Sequence, residues 1–311
     1  MLRSFVFISV LLALSSTAIY AGDDNAPSKL LSCNDGFLKK YADASKEQPG
    51  IVVQPHAWRM FPDGFIYPNY LAGVNESRLA SVFNNDRDID NIWDITLGGR
   101  FGLLRYGNKN PFFPEGFQID IEGSSHLRLD FENDRDVDAA DFRAGMPLTF
   151  GNAIWQFKTG YYHVSSHLGD ERILRLQAAG VPHNRINYVR EAWLLGASYR
   201  FHPSFRLYAE ADYAFCTGEQ TRPWHFQFGM EYSPVYPANY GRGTPFAAVN
   251  VLLLQEHNYD GSICFQAGWQ WKGHRNQILR LGFQYFGGVS EQYEHIAKRE
   301  HKVGFGIWYD F

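Results

Sequence analysis

His163 and Ser165 stand two residues apart in the run Tyr161-Tyr162-His163-Val164-Ser165-Ser166-His167-Leu168-Gly169-Asp170-Glu171. An imidazole beside a hydroxyl is the pairing that activates a serine, with the ring as base and a third polar group to orient it. On a strand the two side chains share one face, roughly 6–7 Å apart along the chain. Asn187 and Glu191 belong to the next strand-like run, and either could orient the imidazole. His163 and His167 make a poor metal pair, because four strand residues separate them by about 13 Å. A second set of residues is acidic. Phe83-Asn84-Asn85-Asp86-Arg87-Asp88-Ile89-Asp90 repeats as Phe131-Glu132-Asn133-Asp134-Arg135-Asp136-Val137-Asp138. Asp86, Asp88 and Asp90, with Asp134, Asp136 and Asp138, are spaced carboxylates of the kind that bind Ca²⁺ through hard oxygens. The alternative is a pair of solvated turns rich in Asn and Asp, left by an old hairpin duplication.

The elements that must position these residues are strands. In 117–131 the odd positions are Phe117, Ile119, Ile121, Gly123, Ser125, Leu127, Leu129 and Phe131, and the even ones are polar from Gln118 to Asp130. Such alternation is the mark of a strand with one apolar and one polar face. The pattern recurs about twelve times from Ser77 onward and closes on Val303, Phe305, Ile307, Tyr309 and Phe311. An even number of alternating strands with interfacial aromatics predicts an all-β chain, a transmembrane antiparallel up-and-down β-barrel of about twelve strands. Within it the fifth strand points Trp155, Phe157 and Tyr161 to lipid, so His163 and Ser165 point there too. The sixth does the same with Asn187, Glu191, Trp193 and Leu195. Tight turns at Gly151-Asn152, His202-Pro203-Ser204 and Gly273-His274-Arg275-Asn276 face the periplasm, and the longest loop, Leu168 to Arg185, faces outward. Basic residues of that loop, Arg172, Arg175 and Arg185, could meet lipopolysaccharide phosphates.

Composition agrees. The 311 residues include 18 Tyr and 8 Trp. Beyond the amino terminus no apolar run nears the roughly 18 residues a membrane helix needs. A net charge of −4 argues against nucleic acid as a partner. Arg3, the apolar run Phe5 to Leu14 and small residues up to Ala21 read as a signal peptide over 1–21. Residues 22–70 lack strand periodicity and read as a periplasmic extension or plug, with a short helix near Gly36 to Ala44. Residues 71–311 form the barrel. Cys33, Cys216 and Cys264 allow one bridge in an oxidising periplasm, with no pair preferred. The polar face carries both charge signs, among them Asp120, Glu122, Arg128, Asp141, Arg143, Lys158, Arg206 and Glu210. Long side chains in paired charges fill a narrow interior, which favours a plugged barrel over a wide pore.

Three resemblances follow from these residues. Val303 to Phe311 resembles the C-terminal sorting signal of Gram-negative outer-membrane proteins. That implies residence in the cell outer membrane among its lipids and lipopolysaccharide, and recognition by the barrel-assembly machinery. The His163-x-Ser165 pair with Asn187 on the following strand resembles outer-membrane phospholipase A, also a twelve-strand barrel. The resemblance implies His163 as base, Ser165 as nucleophile, Asn187 as orienting residue, and a calcium requirement. The chain departs from that family after the serine, where Ser166-His167 replace Asn-Gly. Over most of its mature length the chain is similar to a bacterial family of unknown function. Ser165-Ser166-His167-Leu168-Gly169-Asp170-Glu171 and the segment Asn187 to Glu191 carry that likeness, which implies no activity. Three functions therefore stand: a filled barrel of unspecified role, a serine-type lipid acyl hydrolase, and a small porin-like channel.

Overall fold

A bilayer core offers backbone groups no water, so strands can cross it only in a sheet without edges. The computed structural model describes residues 56–87, 90–182, 186, 188–218, 221–234 and 241–311. It contains β1 (Ala57–Met60), β2 (Leu79–Asp86), β3 (Asp90–Gly107), β4 (Gly116–Asp130), β5 (Asp136–Gly151) and β6 (Trp155–Leu168). Then come α1 (Asp170–Ala178), β7 (Val189–His202), β8 (Phe205–Thr217), β9 (Trp224–Tyr232), β10 (Thr244–Leu254), β11 (Asp260–Lys272), β12 (Ile278–Val289) and β13 (Arg299–Asp310). Each strand from β2 to β13 pairs antiparallel with its sequence neighbours, and β13 pairs back onto β2 from Tyr309↔Leu79 to Lys302↔Asp86. The result is a closed twelve-strand up-and-down barrel.

The segment read as lacking periodicity contains β1. It runs Ala57↔Gly107 to Met60↔Leu104 along the lower part of β3, whose upper part pairs with β2. β3 has 18 residues and β2 has 8, so β1 occupies the seat that β2 leaves empty. Four residues hold too few alternations to register as a period. The signal peptide, the helix near 36–44 and Cys33 lie outside the described residues.

Alternation holds around the wall. Phe101, Ile121, Leu195, Phe228, Phe265, Leu281, Phe305 and Ile307 are exposed on the outer face, where lipid replaces water. Aromatics gather at two levels. Trp155 stacks on Tyr199 with centroids 4.4 Å apart and Phe150 on Phe157 at 5.0 Å, near the short turns 152–154 and 203–204. Phe83 stacks on Trp93 at 4.9 Å, and Tyr213 meets Trp224 edge-on at 4.9 Å, near the opposite rim. The first level, with the foot of β13, marks the periplasmic end.

The lumen is filled. Residues 64–77 run inside it, and their backbone is held by arginines from the wall. Arg100 Nη1 donates to Tyr67 O at 2.9 Å, and Arg206 donates to Pro68 O and Asn69 O at 2.9 and 2.8 Å. Arg78 and Arg280 both donate to Leu71 O, at 2.8 and 3.1 Å. Glu231 accepts from Leu71 N at 2.7 Å, and Tyr70 stacks on Tyr208 at 3.9 Å. Above this segment Arg128 and Lys302 bind Asp94, Glu300 and Glu291. Higher still, the 290–298 loop folds inward: Tyr293 N donates to Asp141 Oδ2 at 3.0 Å, and its ring stacks on Tyr188 at 4.3 Å.

Candidate functional site

The outer rim of β6 and β7 carries the residues that could do chemistry. Register places His163 opposite Glu191, Tyr161 opposite Trp193 and Ser165 opposite Val189. Tyr162, Val164 and Ser166 turn into the barrel and are buried. Tyr161, His163 and Ser165 therefore share the outward face, as alternation predicts. His163 lies eight residues above Trp155. That is about 27 Å of strand, or roughly 20 Å along the membrane normal at the usual tilt of a barrel strand. The site thus sits at the upper aromatic level, where outer-leaflet acyl chains meet their headgroups.

His163 Nδ1 lies 2.8 Å from Glu191 Oε1, and the Tyr161 hydroxyl donates to Glu191 Oε2. The side chains of His163 and Glu191 remain 35% and 26% exposed, so the pair is open to the lipid side rather than enclosed by protein. A carboxylate on Nδ1 favours the tautomer that carries its proton there and leaves Nε2 as the basic nitrogen. Ser165 is half-buried on the same face. Among the described residues no hydrogen bond joins it to His163. Two residues of strand put the pair about 6–7 Å apart along the chain, so closure depends on side-chain rotamers. Asn187 lies outside the described residues, while its neighbours are placed: Tyr188 O accepts from Ser166 N at 3.0 Å, and Ile186 N donates to Glu294 Oε1 at 2.9 Å. Of the two orienting candidates, Glu191 is the one seen on the ring. Tyr161 is the participant that sequence reasoning missed. Alternation reads it as one aromatic of the outer face, yet its spacing of two from His163 is the available signal.

The acidic repeat places its two copies at one rim, where Phe83 and Phe131 lie 5.9 Å apart. Its carboxylates disperse. Asp86 is within β2 and accepts from His301 N at 2.9 Å. Asp136 binds Arg175, and Asp138 binds Arg172 and His295. Asp134 sits in the turn at φ 52°. Asp88 and the side chain of Asp90 lie outside the described residues. Among the described residues no three His, Cys, Asp or Glu side chains gather as a metal site. The placed carboxylates therefore do not form a calcium cage, and Arg172 and Arg175 are engaged by acids of the same rim.

Closure of twelve strands, a lipid-facing apolar band between two aromatic levels and a filled lumen define an integral outer-membrane β-barrel. The chain belongs to the family described as protein of unknown function (DUF1207), which matches residues 50–311. No curated protein matches it. Similar solved structures include the Salmonella typhi outer membrane phospholipase dimer with bound calcium. That protein is 13% identical, with a TM-score of 0.48, over 78% of this chain and 92% of that one. The Escherichia coli outer membrane phospholipase A is 14% identical, with a TM-score of 0.46, over 78% and 91%. The KdgM porin is 9% identical, with a TM-score of 0.41, over 75% and 99%.

Proposed function

We propose that this barrel acts at its lipid-facing surface, as a serine-type acyl hydrolase of outer-leaflet lipids. The observation that carries the reading is the 2.8 Å contact between His163 Nδ1 and Glu191 Oε1 on the outward face, with Ser165 two residues along the same strand. Glu191 holds the imidazole and stabilises the imidazolium, as the third member of a triad does. Nε2 takes the proton of Ser165 as Oγ attacks the ester carbonyl. The proton then passes to the leaving alcohol, and water, activated by the same ring, releases the fatty acid and regenerates the serine. No step passes through calcium. Asn187 remains an orienting candidate from the resemblance. Export by the amino-terminal segment and insertion by the barrel-assembly machinery belong to the same proposal.

A porin-like role finds no support in a lumen occupied by residues 64–77. The deciding experiment measures fatty acid released from diacylphospholipid and lipopolysaccharide by purified protein in detergent. Release is expected from wild type and absent from Ser165→Ala; release that persists in the variant removes Ser165 from the mechanism.

A further inference from the structure

Ser165 turns outward and Ser166 turns into the lumen, so a single peptide unit joins the candidate nucleophile to the interior. What fixes Ser166 therefore fixes the direction of Ser165. The strand ladder gives little help at that point. β6 and β7 pair from Trp155↔Tyr199 up to Ser165↔Val189 and no further. The site thus occupies the last rungs of the ladder, where a sheet opens locally at least cost.

The inward-folded 290–298 loop closes that end from inside. Its short helical turn, Tyr293–His295, is buried. Toward β5 and β6, Tyr293 N donates to Asp141 Oδ2 at 3.0 Å, and the Ser166 hydroxyl donates to Asp141 Oδ1. Toward β7, the Tyr293 ring stacks on Tyr188 with centroids 4.3 Å apart and planes 11° apart. Tyr188 O in turn accepts from Ser166 N at 3.0 Å. Glu294 Oε1 accepts from Ile186 N at 2.9 Å, and Ile186 O accepts from Tyr188 N at 2.7 Å. His295 Nε2 lies 2.5 Å from Asp138 Oδ2, and Asp138 O accepts from Gly169 N at 3.0 Å, just past the end of β6. Three consecutive residues therefore grip β5, the end of β6 and the approach to β7 directly behind Ser165.

Reacting groups must be held closely, since a misplacement of about 1 Å can cost roughly 10²-fold in rate. Ser165 and His163 lie far enough apart along the strand that their closure depends on rotamers, and rotamers depend on the backbone beneath them. We propose that the 290–298 loop assembles the lipid-facing site from within, with Tyr293 and Glu294 as positioning residues. Folded in, the loop holds Ser165 and the start of β7 at the geometry His163 needs; folded out, it releases both. The site in question is that of the hydrolase reading, on which this inference rests, and the loop supplies its regulation from the extracellular mouth.

Hydrogen exchange and fatty acid release, measured together on the full-length barrel in detergent, test it. Tyr293→Ala and Glu294→Ala should each speed exchange about tenfold in the peptides 163–168 and 186–191 and leave the β10–β12 wall as it is. Each should lower kcat for fatty acid release about tenfold with KM nearly unchanged. Glu294→Gln keeps an oxygen that can accept from Ile186 N, and it should restore both quantities. Heat-modifiable gel mobility reports whether each variant is a closed barrel; if Tyr293→Ala is not, the two Glu294 variants decide. Unchanged exchange in the alanine variants overturns the proposal. Faster exchange with kcat at the wild-type level also overturns it, because the loop is then a structural cover alone. A wild type that releases no fatty acid fails the hydrolase reading and takes this inference with it, whereas variants as active as an active wild type fail this inference alone.

Discussion

The lumen and the outer rim of β6–β7 both set acids beside bases, with opposite consequences. In the lumen Arg128 meets Asp94, Glu291 and Glu300, and Lys302 meets the same three. These side chains are buried or nearly so, and each charge has several partners. At the rim one carboxylate serves one imidazole and one phenol, half-exposed on the lipid side, and among the described residues the second ring nitrogen has no hydrogen bond. Buried charges that satisfy one another hold an interior in one arrangement. A polar pair at headgroup depth with hydrogen-bonding capacity left over contributes little to packing and is open to a ligand from the lipid side. The filled lumen and the half-exposed imidazole–carboxylate pair at the rim are the two observations on which the proposed function at the outer surface rests.

The sharpest way to break the comparison is Ser165→Ala. It should cut fatty acid release by about 10³-fold or more, roughly 4 kcal/mol of transition-state stabilisation, with the unfolding midpoint in urea unchanged. Loss of stability without loss of release would move the rim into the structural category. Arg128→Met tests the opposite region. It leaves Asp94, Glu291 and Glu300 to share Lys302 as their cation among the described residues and should cost about 3–5 kcal/mol of stability, since breaking a buried network leaves uncompensated charge. Release per folded molecule should not change. Glu191→Gln should slow release by about 10²-fold, near 2.7 kcal/mol, because an amide still orients the ring but no longer stabilises the imidazolium. Planar-bilayer recordings of wild type should show no conductance above background, and a steady open level would contradict the filled lumen.

The smallest effect concerns the inward-folded loop. Burial lowers the pKa of His295 from its ordinary value, and the contact with Asp138 opposes this only in part. The unfolded loop then binds the proton more readily than the folded one. Stability contributed by the loop is full above the ordinary imidazole pKa near 6.5 and falls as pH drops below it. Trypsin cleavage after Lys298 should therefore speed up modestly from pH 7 to 5.5, and a flat profile would show that the loop does not open.

Much of this was legible in the chain because strand alternation is a local property. Trp155, Phe157 and Tyr161 on one face put His163 on that face whatever the rest of the protein does. The ionic run on the other face, from Asp120 to Arg206, likewise foretold an interior of paired charges. β1 was not legible, because Ala57–Met60 becomes a strand only through the vacancy left beside β3. The partners of the acidic repeat were not legible for a related reason. Two similar strings of Asp sit at one rim, but Asp136 and Asp138 are drawn to Arg175, Arg172 and His295, which approach from α1 and the 290–298 loop.

By itself the sequence determined the strand count, the outward face and the membrane setting, because a period of two and its aromatic ends are written in consecutive residues. Only the tertiary structure decided which polar groups meet. The contact of His163 with Glu191 depends on the register of β6 against β7. The filling of the lumen by residues 64–77 depends on arginines from β3, β8 and β12 converging on one stretch of backbone. Register and convergence are sums over many distant pairings, and no local run of residues specifies them.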